Sequence, residues 1–210
     1  MKKIIWIIIA ILVVAGLFFL FTQGGSGSDS KLYKAGIPNA LDNTKGNASS
    51  TVVLMEYSDF QCPACRAYYP VMRQLMQEFG DRVQFVYRHF PLTGIHANAE
   101  FAARAAQAAA NQGKFWEMHD ILFEKQEEWA EKGDAPKYFE SYAKLIGLDV
   151  DQFNRDFRSK QVKDFVASQR IHALSSGLQG TPSFYLNGQK IDNPNSADAF
   201  RTLVLKALQK

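Results

Sequence analysis

Cysteine and histidine are scarce in this sequence. Its 210 residues include two cysteines and four histidines, and no two of the histidines have the spacing of a zinc finger. A structural zinc site is therefore disfavoured, and we predict no metal. A strong charge bias is also lacking: the net charge is +3, and Lys2 and Lys3 supply two of these charges. Without a concentrated basic face, we predict no binding to nucleic acid.

A single long apolar run, from Ile4 to Phe21, lies at the N-terminus directly after Lys2 and Lys3. As a helix it would span about 27 Å, close to the thickness of a membrane core. The lysines predict a cytoplasmic N-terminus. We therefore predict a single-pass transmembrane signal anchor at residues 1–22, with a cleaved signal peptide as the alternative. In both cases the rest of the chain is expected outside the cytoplasm, where thiols can be oxidised.

Two segments follow the apolar run. Residues 23–47 begin with a Gly/Ser-rich stretch, which is typical of a flexible linker, and continue as an approach segment without a clear pattern. Residues 48–210 form the predicted folded domain. With 47% hydrophobic and 13% aromatic residues in the chain, this domain can bury a core without disulfides.

This domain begins with a predicted strand–helix–strand unit. Thr51 to Tyr57 is a nearly continuous apolar run, which favours a strand buried on both faces. Cys62 to Phe79 is predicted as a helix with Pro63 in its first turn, where proline is tolerated. Arg82 to Phe90 is the second strand. Because the connections are short, we expect the two strands to be parallel.

The middle of the domain is predicted to be helical and its end to return to β-structure. The helical block spans about 94–176, and within it the charged run Glu124 to Lys132 is interpreted as a solvated helix face. Asp149 is expected to cap one of these helices. Asn187-Gly188 predicts a tight hairpin between two short strands, and Ser196 is expected to cap a last helix.

The two cysteines stand in the stretch Cys62-Pro63-Ala64-Cys65. A haem attachment would need histidine next, and the residue there is Arg66. A structural disulfide at this spacing would restrict the unfolded chain little. A redox pair explains the position best, because the helix N-terminus favours a thiolate and should lower the pKa of Cys62. Cys65 then lies one turn on as the resolving thiol. From the residues alone, the bond before Pro182 is equally well trans or cis.

These features resemble the DsbA family of extracytoplasmic thiol–disulfide oxidoreductases, in the style of its membrane-anchored branch. The resemblance covers residues 48–210. It rests on the element order and on four stretches, which are 56–65, 88–92, 113–119 and 180–188. It implies an α/β, thioredoxin-like fold with a helical insertion between the βαβ and ββα halves.

The resemblance also implies roles for individual residues. Cys62 and Cys65 match the nucleophile and the resolving thiol, and Pro182 matches the cis-proline that faces them. Thr181 would offer backbone groups to a bound client peptide. Pro63 and Ala64, which separate the two cysteines, are also predicted to bind the client.

Glu56 stands where the family has a buried acid, which would relay the proton of Cys65. Asp59 is a rival for that role. Ala64 departs from the family archetype, which has histidine there, and alanine cannot stabilise the Cys62 thiolate. We therefore expect a lowered but less extreme pKa for Cys62.

The expected function is the transfer of the Cys62–Cys65 disulfide to exported cysteine-containing proteins. The resemblance implies a monomer that uses no metal or organic cofactor and is reoxidised by a membrane quinone-linked partner of the DsbB or VKOR type. The alternative is an extracytoplasmic reductase or isomerase that works from the dithiol, although no dimerisation region typical of isomerases follows the linker. A binding or chaperone module with an incidental disulfide is the third possibility.

Overall fold

The computed structural model of the protein describes residues 33–209. The predicted anchor at residues 1–22, and the first part of the predicted linker, lie outside these residues. Within residues 33–209, no helix combines the length and apolarity that crossing a membrane requires. The strands are β1 (Asn43–Gly46), β2 (Val52–Ser58), β3 (Val83–His89), β4 (Ser183–Leu186) and β5 (Gln189–Ile191). The helices are α1 (Pro63–Phe79), α2 (Ala99–Ala110), α3 (Phe115–Glu124), α4 (Gln126–Trp129), α5 (Ala135–Leu145), α6 (Val150–Arg158), α7 (Lys160–Ser175) and α8 (Ala197–Leu208).

The strands form one sheet in the order β1-β3-β2-β4-β5. β2 and β3 are parallel and α1 connects them, which confirms the predicted βαβ unit. The remaining neighbours pair antiparallel. The predicted hairpin turn between β4 and β5 is also confirmed, because Asn187 and Gly188 both have positive φ angles, 50° and 80°, as a tight hairpin turn requires.

The two faces of β2 are covered by different helices. Leu54 packs with residues of α1 and α8, whereas Met55 and Tyr57 pack on the opposite face with Ala173 of α7. Side chains alternate between the faces of a strand, so Glu56 shares the face of Leu54. That face lies against α1, which begins directly after Cys62.

The helical insertion, α2 to α7, covers the end of the sheet at which α1 begins. Its core is built on the alanine-rich α2 and contains both cysteines. His119 of α3 lies in this core, with its ring 5.0 to 5.6 Å from the rings of Phe60, Tyr87 and Phe123. The predicted thioredoxin-like α/β fold with an insertion between its halves is confirmed, as are the helix caps at Asp149 and Ser196.

Two local features differ from the sequence-based expectations. β1 was not predicted, because its four residues are polar and lie at a sheet edge. The segment before it is fixed by Asp42, which accepts two hydrogen bonds from Arg88 of β3, at 2.8 and 2.7 Å. Both side chains of this pair are fully buried.

The interpretation of the charged run 124–132 as a solvated face is wrong for Gln126 and Trp129, which are buried.

Candidate active site

The two cysteines lie at the start of α1. Cys62 is the N-cap residue and Pro63 the first helical residue. The Cys62 side chain is 7% exposed and that of Cys65 is fully buried, and both are free thiols. Cys62 Sγ lies 3.5 Å from the backbone oxygen of Thr181, to which the protonated thiol donates a hydrogen bond. This geometry leaves one sulfur near the surface and the other beneath it.

The surroundings shift the pKa values of the two thiols in opposite directions. The pKa of Cys62 is lowered from 9.0 to about 5, chiefly by a hydrogen bond from the Cys65 thiol. The Thr181 side chain and the backbone N–H groups of Ala64 and Cys65 also lower the pKa of Cys62, whereas burial raises it. Burial raises the pKa of Cys65 well above 9.0, and the nearby Cys62 and Glu56 raise it further. Cys62 is therefore a thiolate at neutral pH, while Cys65 keeps its proton.

Glu56 lies behind the cysteines on the α1-facing side of β2 and is 3% exposed. Its pKa is raised from 4.5 to about 7, chiefly by burial. A hydrogen bond from Ser58 opposes this rise, and the charge of Cys62 adds to it. Ser58 Oγ lies 2.6 Å from Glu56 Oε1 and also interacts with the Cys65 thiol. Ser58 thus connects the acid to the buried cysteine.

Sequence reasoning missed Ser58. The available signal was its spacing of two residues from Glu56, which places both side chains on the same face of a strand.

Pro182 opens β4 beside the thiols. The Thr181–Pro182 peptide bond is cis, as the resemblance implied. The loop is held by Asn193, whose side-chain amide donates a 2.8 Å hydrogen bond to the Pro182 carbonyl, and by Ser183, whose hydroxyl donates to the Gly180 carbonyl. Neither contact was predicted, because the sequence does not indicate which side chains fold back onto these two carbonyls.

A cleft of about 650 Å³ opens beside Thr181 and Pro182. Its other lining residues include the exposed side chains of Gln179, Lys190 and Asp192. Pro63 and Ala64, the other predicted client-binding residues, are exposed at the start of α1. The surface next to Cys62 is thus open to a polypeptide.

Asp59, the rival acid, is engaged elsewhere. Its carboxylate accepts hydrogen bonds from the backbone N–H groups of Gln61 and Leu92, and its Oδ2 lies 2.7 Å from Nδ1 of His96. It therefore fastens the loop before Cys62 to the chain after β3. His89 is fully buried, and its pKa is lowered to about 3, chiefly by burial.

No group of three or more potential metal ligands comes together within residues 33–209. The structure instead assembles a pair of thiols, one buried acid and one hydroxyl. Such a set can exchange disulfides and move a proton.

Comparison with known families agrees with this arrangement. Residues 40–206 match the model of the family described as Thioredoxin. The chain belongs to the thioredoxin family. Among proteins of known annotation, it is 36% identical over 166 residues to the Na(+)/H(+) antiporter NhaA 3 of Salinispora tropica, covering 79% of this chain and 24% of the antiporter. A Na(+)/H(+) antiporter NhaA 1 of Mycolicibacterium vanbaalenii is 37% identical, with 77% and 26% covered. The chain thus spans about a quarter of the length of the curated relatives it matches.

Solved structures of thioredoxin-family proteins have the same fold. BdbD from Bacillus subtilis superposes with a TM-score of 0.74 at 21% identity, covering 84% of this chain and 98% of BdbD. The α-DsbA1 protein of Wolbachia pipientis gives 0.74 at 19% identity, with 87% and 96% covered. A thioredoxin-like oxidoreductase from Silicibacter pomeroyi gives 0.69 at 27% identity, with 88% and 99% covered. The expected likeness in fold to DsbA-type proteins is confirmed.

Proposed function

We propose that the protein is a thiol–disulfide oxidoreductase that transfers the Cys62–Cys65 disulfide to exported proteins. The observation that carries the proposal is the opposite perturbation of the two thiols: the pKa of Cys62 is lowered to about 5, and that of Cys65 is raised. A stabilised thiolate favours the reduced form of the pair, and this makes its disulfide an oxidant.

The first step is the attack of a client thiolate on Cys62 Sγ of the disulfide. Client and Cys62 form a mixed disulfide while the bond from Cys62 to Cys65 breaks. Cys65 leaves as a thiolate in a buried position that favours its neutral form. Glu56, whose pKa is raised to about 7, supplies the proton by way of Ser58 and recovers one from water.

In the second step, the second client thiolate attacks the client sulfur of the mixed disulfide. Cys62 leaves as a thiolate, and its low pKa makes it a good leaving group. The client thiols lose two electrons and two protons. The electrons pass to the Cys62–Cys65 pair, while one proton stays on Cys65 and the other enters solvent.

The client is a polypeptide with two thiols that lies along the open surface at Pro63 and Ala64 and beside Thr181 and Pro182. Exposed residues of the cleft support this placement. No metal or organic cofactor takes part in this scheme.

We further propose a monomeric catalytic domain at residues 48–210, joined by the linker at 23–47 to a membrane anchor at residues 1–22. The N-terminus is then cytoplasmic and the catalytic domain extracytoplasmic. A membrane quinone-linked partner of the DsbB or VKOR type would reoxidise the dithiol. The basis for these proposals is the apolar run that follows Lys2 and Lys3, together with the DsbA resemblance.

A reductase or isomerase that works from the dithiol is the second candidate. Ala64 favours it, because this exposed side chain offers neither charge nor a hydrogen bond to the Cys62 thiolate. A less stable thiolate makes the disulfide a weaker oxidant.

The test is oxidation of a reduced two-cysteine peptide by the oxidised full-length protein. Oxidation is expected for the wild type and absent in Cys62→Ser. Incubated with oxidised glutathione, Cys65→Ser should accumulate a mixed disulfide between Cys62 and glutathione, visible by mass spectrometry, because the Cys62 thiolate displaces one glutathione thiolate and no Cys65 thiol is present to resolve the product. A Cys62→Ser protein that oxidises the peptide at the wild-type rate would instead indicate a binding module with an incidental pair of thiols.

A further inference from the structure

Gln126 connects the helical insertion to the loop that carries Cys62. Its side chain is 4% exposed. Its amide Nε2 donates one hydrogen bond of 2.6 Å to the carbonyl of Phe60 and another of 3.1 Å to the carbonyl of Cys62. Both acceptors lie more than 60 residues away in sequence, so this contact exists only in the folded chain.

The backbone around Gln126 is fixed independently of the loop. Trp129, which follows in the one-turn helix α4, is fully buried, and its indole N–H donates a 3.0 Å hydrogen bond to the Leu122 carbonyl. Trp129 holds α4 against α3. The backbone of Gln126, at the start of α4, is therefore held in place without help from the loop that carries Cys62.

A second buried glutamine fastens the same loop from the opposite direction. Gln61, directly before Cys62, donates a 2.7 Å hydrogen bond to the Ala130 carbonyl and accepts one of 2.7 Å from the Asn98 N–H. The side chains of Gln61 and Gln126 thus both connect the loop before Cys62 to the helical insertion. Of these two glutamines, Gln126 is the one whose side chain donates a hydrogen bond to the backbone of Cys62.

The contact with the Cys62 carbonyl matters for the charge on its sulfur. The carbonyl oxygens of Phe60 and Cys62 carry partial negative charge, and that of Cys62 belongs to the reactive residue itself. An amide donor that faces both oxygens offsets part of this charge in a buried setting, where electrostatic effects are strong. The Cys62 carbonyl also accepts the Arg66 N–H in the first turn of α1, so its orientation sets the start of the helix.

We infer that Gln126 is a positioning residue for the Cys62 thiolate, acting through the carbonyls of Phe60 and Cys62. The inference rests on the proposed function, because it assigns Gln126 a part in setting the reactivity of that thiolate. It gives the helical insertion a direct effect on the redox pair.

The test is Gln126→Met in the full-length protein, because methionine has a similar length and volume but no N–H donor. Alkylation of reduced Cys62 by iodoacetamide is followed against pH. The midpoint should move upward by about one pH unit, which corresponds to a tenfold weaker acid. In equilibrium with glutathione, the disulfide should become about tenfold less oxidising, or about 30 mV more negative.

Gln112→Met is the matched control. Gln112 also donates from its side-chain amide to a backbone carbonyl, that of Asp149 at 3.0 Å, but it joins α2 to the start of α6. Its substitution should leave the Cys62 midpoint and the glutathione equilibrium unchanged. An equal shift in both variants would overturn the inference, because it would reflect general loosening of the insertion.

Gln126→Glu provides a second variant, since a carboxylate would repel the two carbonyls and the thiolate and should raise the midpoint at least as far. If Gln126→Met and Gln126→Glu both leave the midpoint of Cys62 alkylation within about 0.3 pH units of wild type, the inference is overturned. Should neither variant fold, hydrogen exchange of the Gln126 side-chain amide in the reduced wild type decides: slowed exchange supports the inference, and exchange at the rate of a free amide overturns it. A wild type that does not exchange disulfides with glutathione would contradict the proposed function itself.

Discussion

Replacing Glu56 by glutamine should change how the stability of the reduced protein depends on pH. The carboxyl is buried, and its pKa is raised from 4.5 to about 7. Between these values the folded state holds a proton that the unfolded state has released. The free energy of unfolding contributed by Glu56 therefore falls as pH rises through this window. Glutamine keeps the shape of the side chain and can accept the hydrogen bond from Ser58, but it does not titrate.

The expected magnitude follows from the two pKa values. Between pH 5 and pH 8 the Glu56 carboxyl should lower the free energy of unfolding by about 2.5 kcal/mol. The free energy of unfolding of Glu56→Gln, measured relative to wild type, should rise by this amount over the same range. The assay is urea unfolding of the full-length protein in excess reductant at pH 5, 6, 7 and 8, followed by tryptophan fluorescence.

Glu117→Gln is the control, because Glu117 is an exposed glutamate in the first turn of α3. Its difference from wild type should stay constant over this pH range. A difference for Glu56→Gln that is equally constant would refute the reasoning, since Glu56 would then not be a buried acid that takes up a proton on folding.

Three other predictions concern the thiols and the fold. Alkylation of Cys62 should have a midpoint near pH 5, whereas Cys65 should stay unmodified below pH 9, as peptide mapping by mass spectrometry would show. Ala64→His should make the disulfide about tenfold more oxidising, or about 30 mV more positive against glutathione, because imidazole can stabilise the thiolate. Asp42→Asn should lower the free energy of unfolding by about 3–5 kcal/mol in urea, because it leaves the buried charge of Arg88 without its partner.

Each of these predictions has a result that would contradict it. A Cys62 midpoint near pH 8.5, the value of a free thiol, would show that its surroundings do not stabilise the thiolate. An unchanged potential in Ala64→His would mean that this position does not tune the pair. For Asp42 the control is Asp134→Asn, which removes an exposed pair with Lys137. Equal losses for the two aspartates would contradict the argument from burial.

Much of the fold could be predicted because its elements carry strong local patterns. The apolar run of β2, the proline in the first turn of α1 and the Asn187-Gly188 turn each specify local structure. β1 has no such pattern: its residues are polar, and its position depends on pairing with β3. The chain before β1 is held by Arg88, a charged residue within a buried strand, whose partner Asp42 cannot be identified from spacing.

The same limit applies to the candidate site. Cys62 and Cys65 could be identified because their spacing and the start of a helix are local features. Gln126 could not, because it lies in a charged run whose pattern indicates solvent exposure, and its acceptors are distant in sequence. The burial of Glu56 followed from resemblance rather than from pattern, since an apolar strand does not indicate which of its faces meets α1.

The redox equilibrium of the full-length protein with glutathione tests the central claim most directly. The protein is equilibrated with buffers of known glutathione ratio, its free thiols are alkylated, and the fraction with a Cys62–Cys65 disulfide is measured by mass spectrometry. We expect a potential above about −160 mV, which makes the disulfide a donor to client proteins. A potential near about −270 mV would contradict the oxidase and favour the reductase.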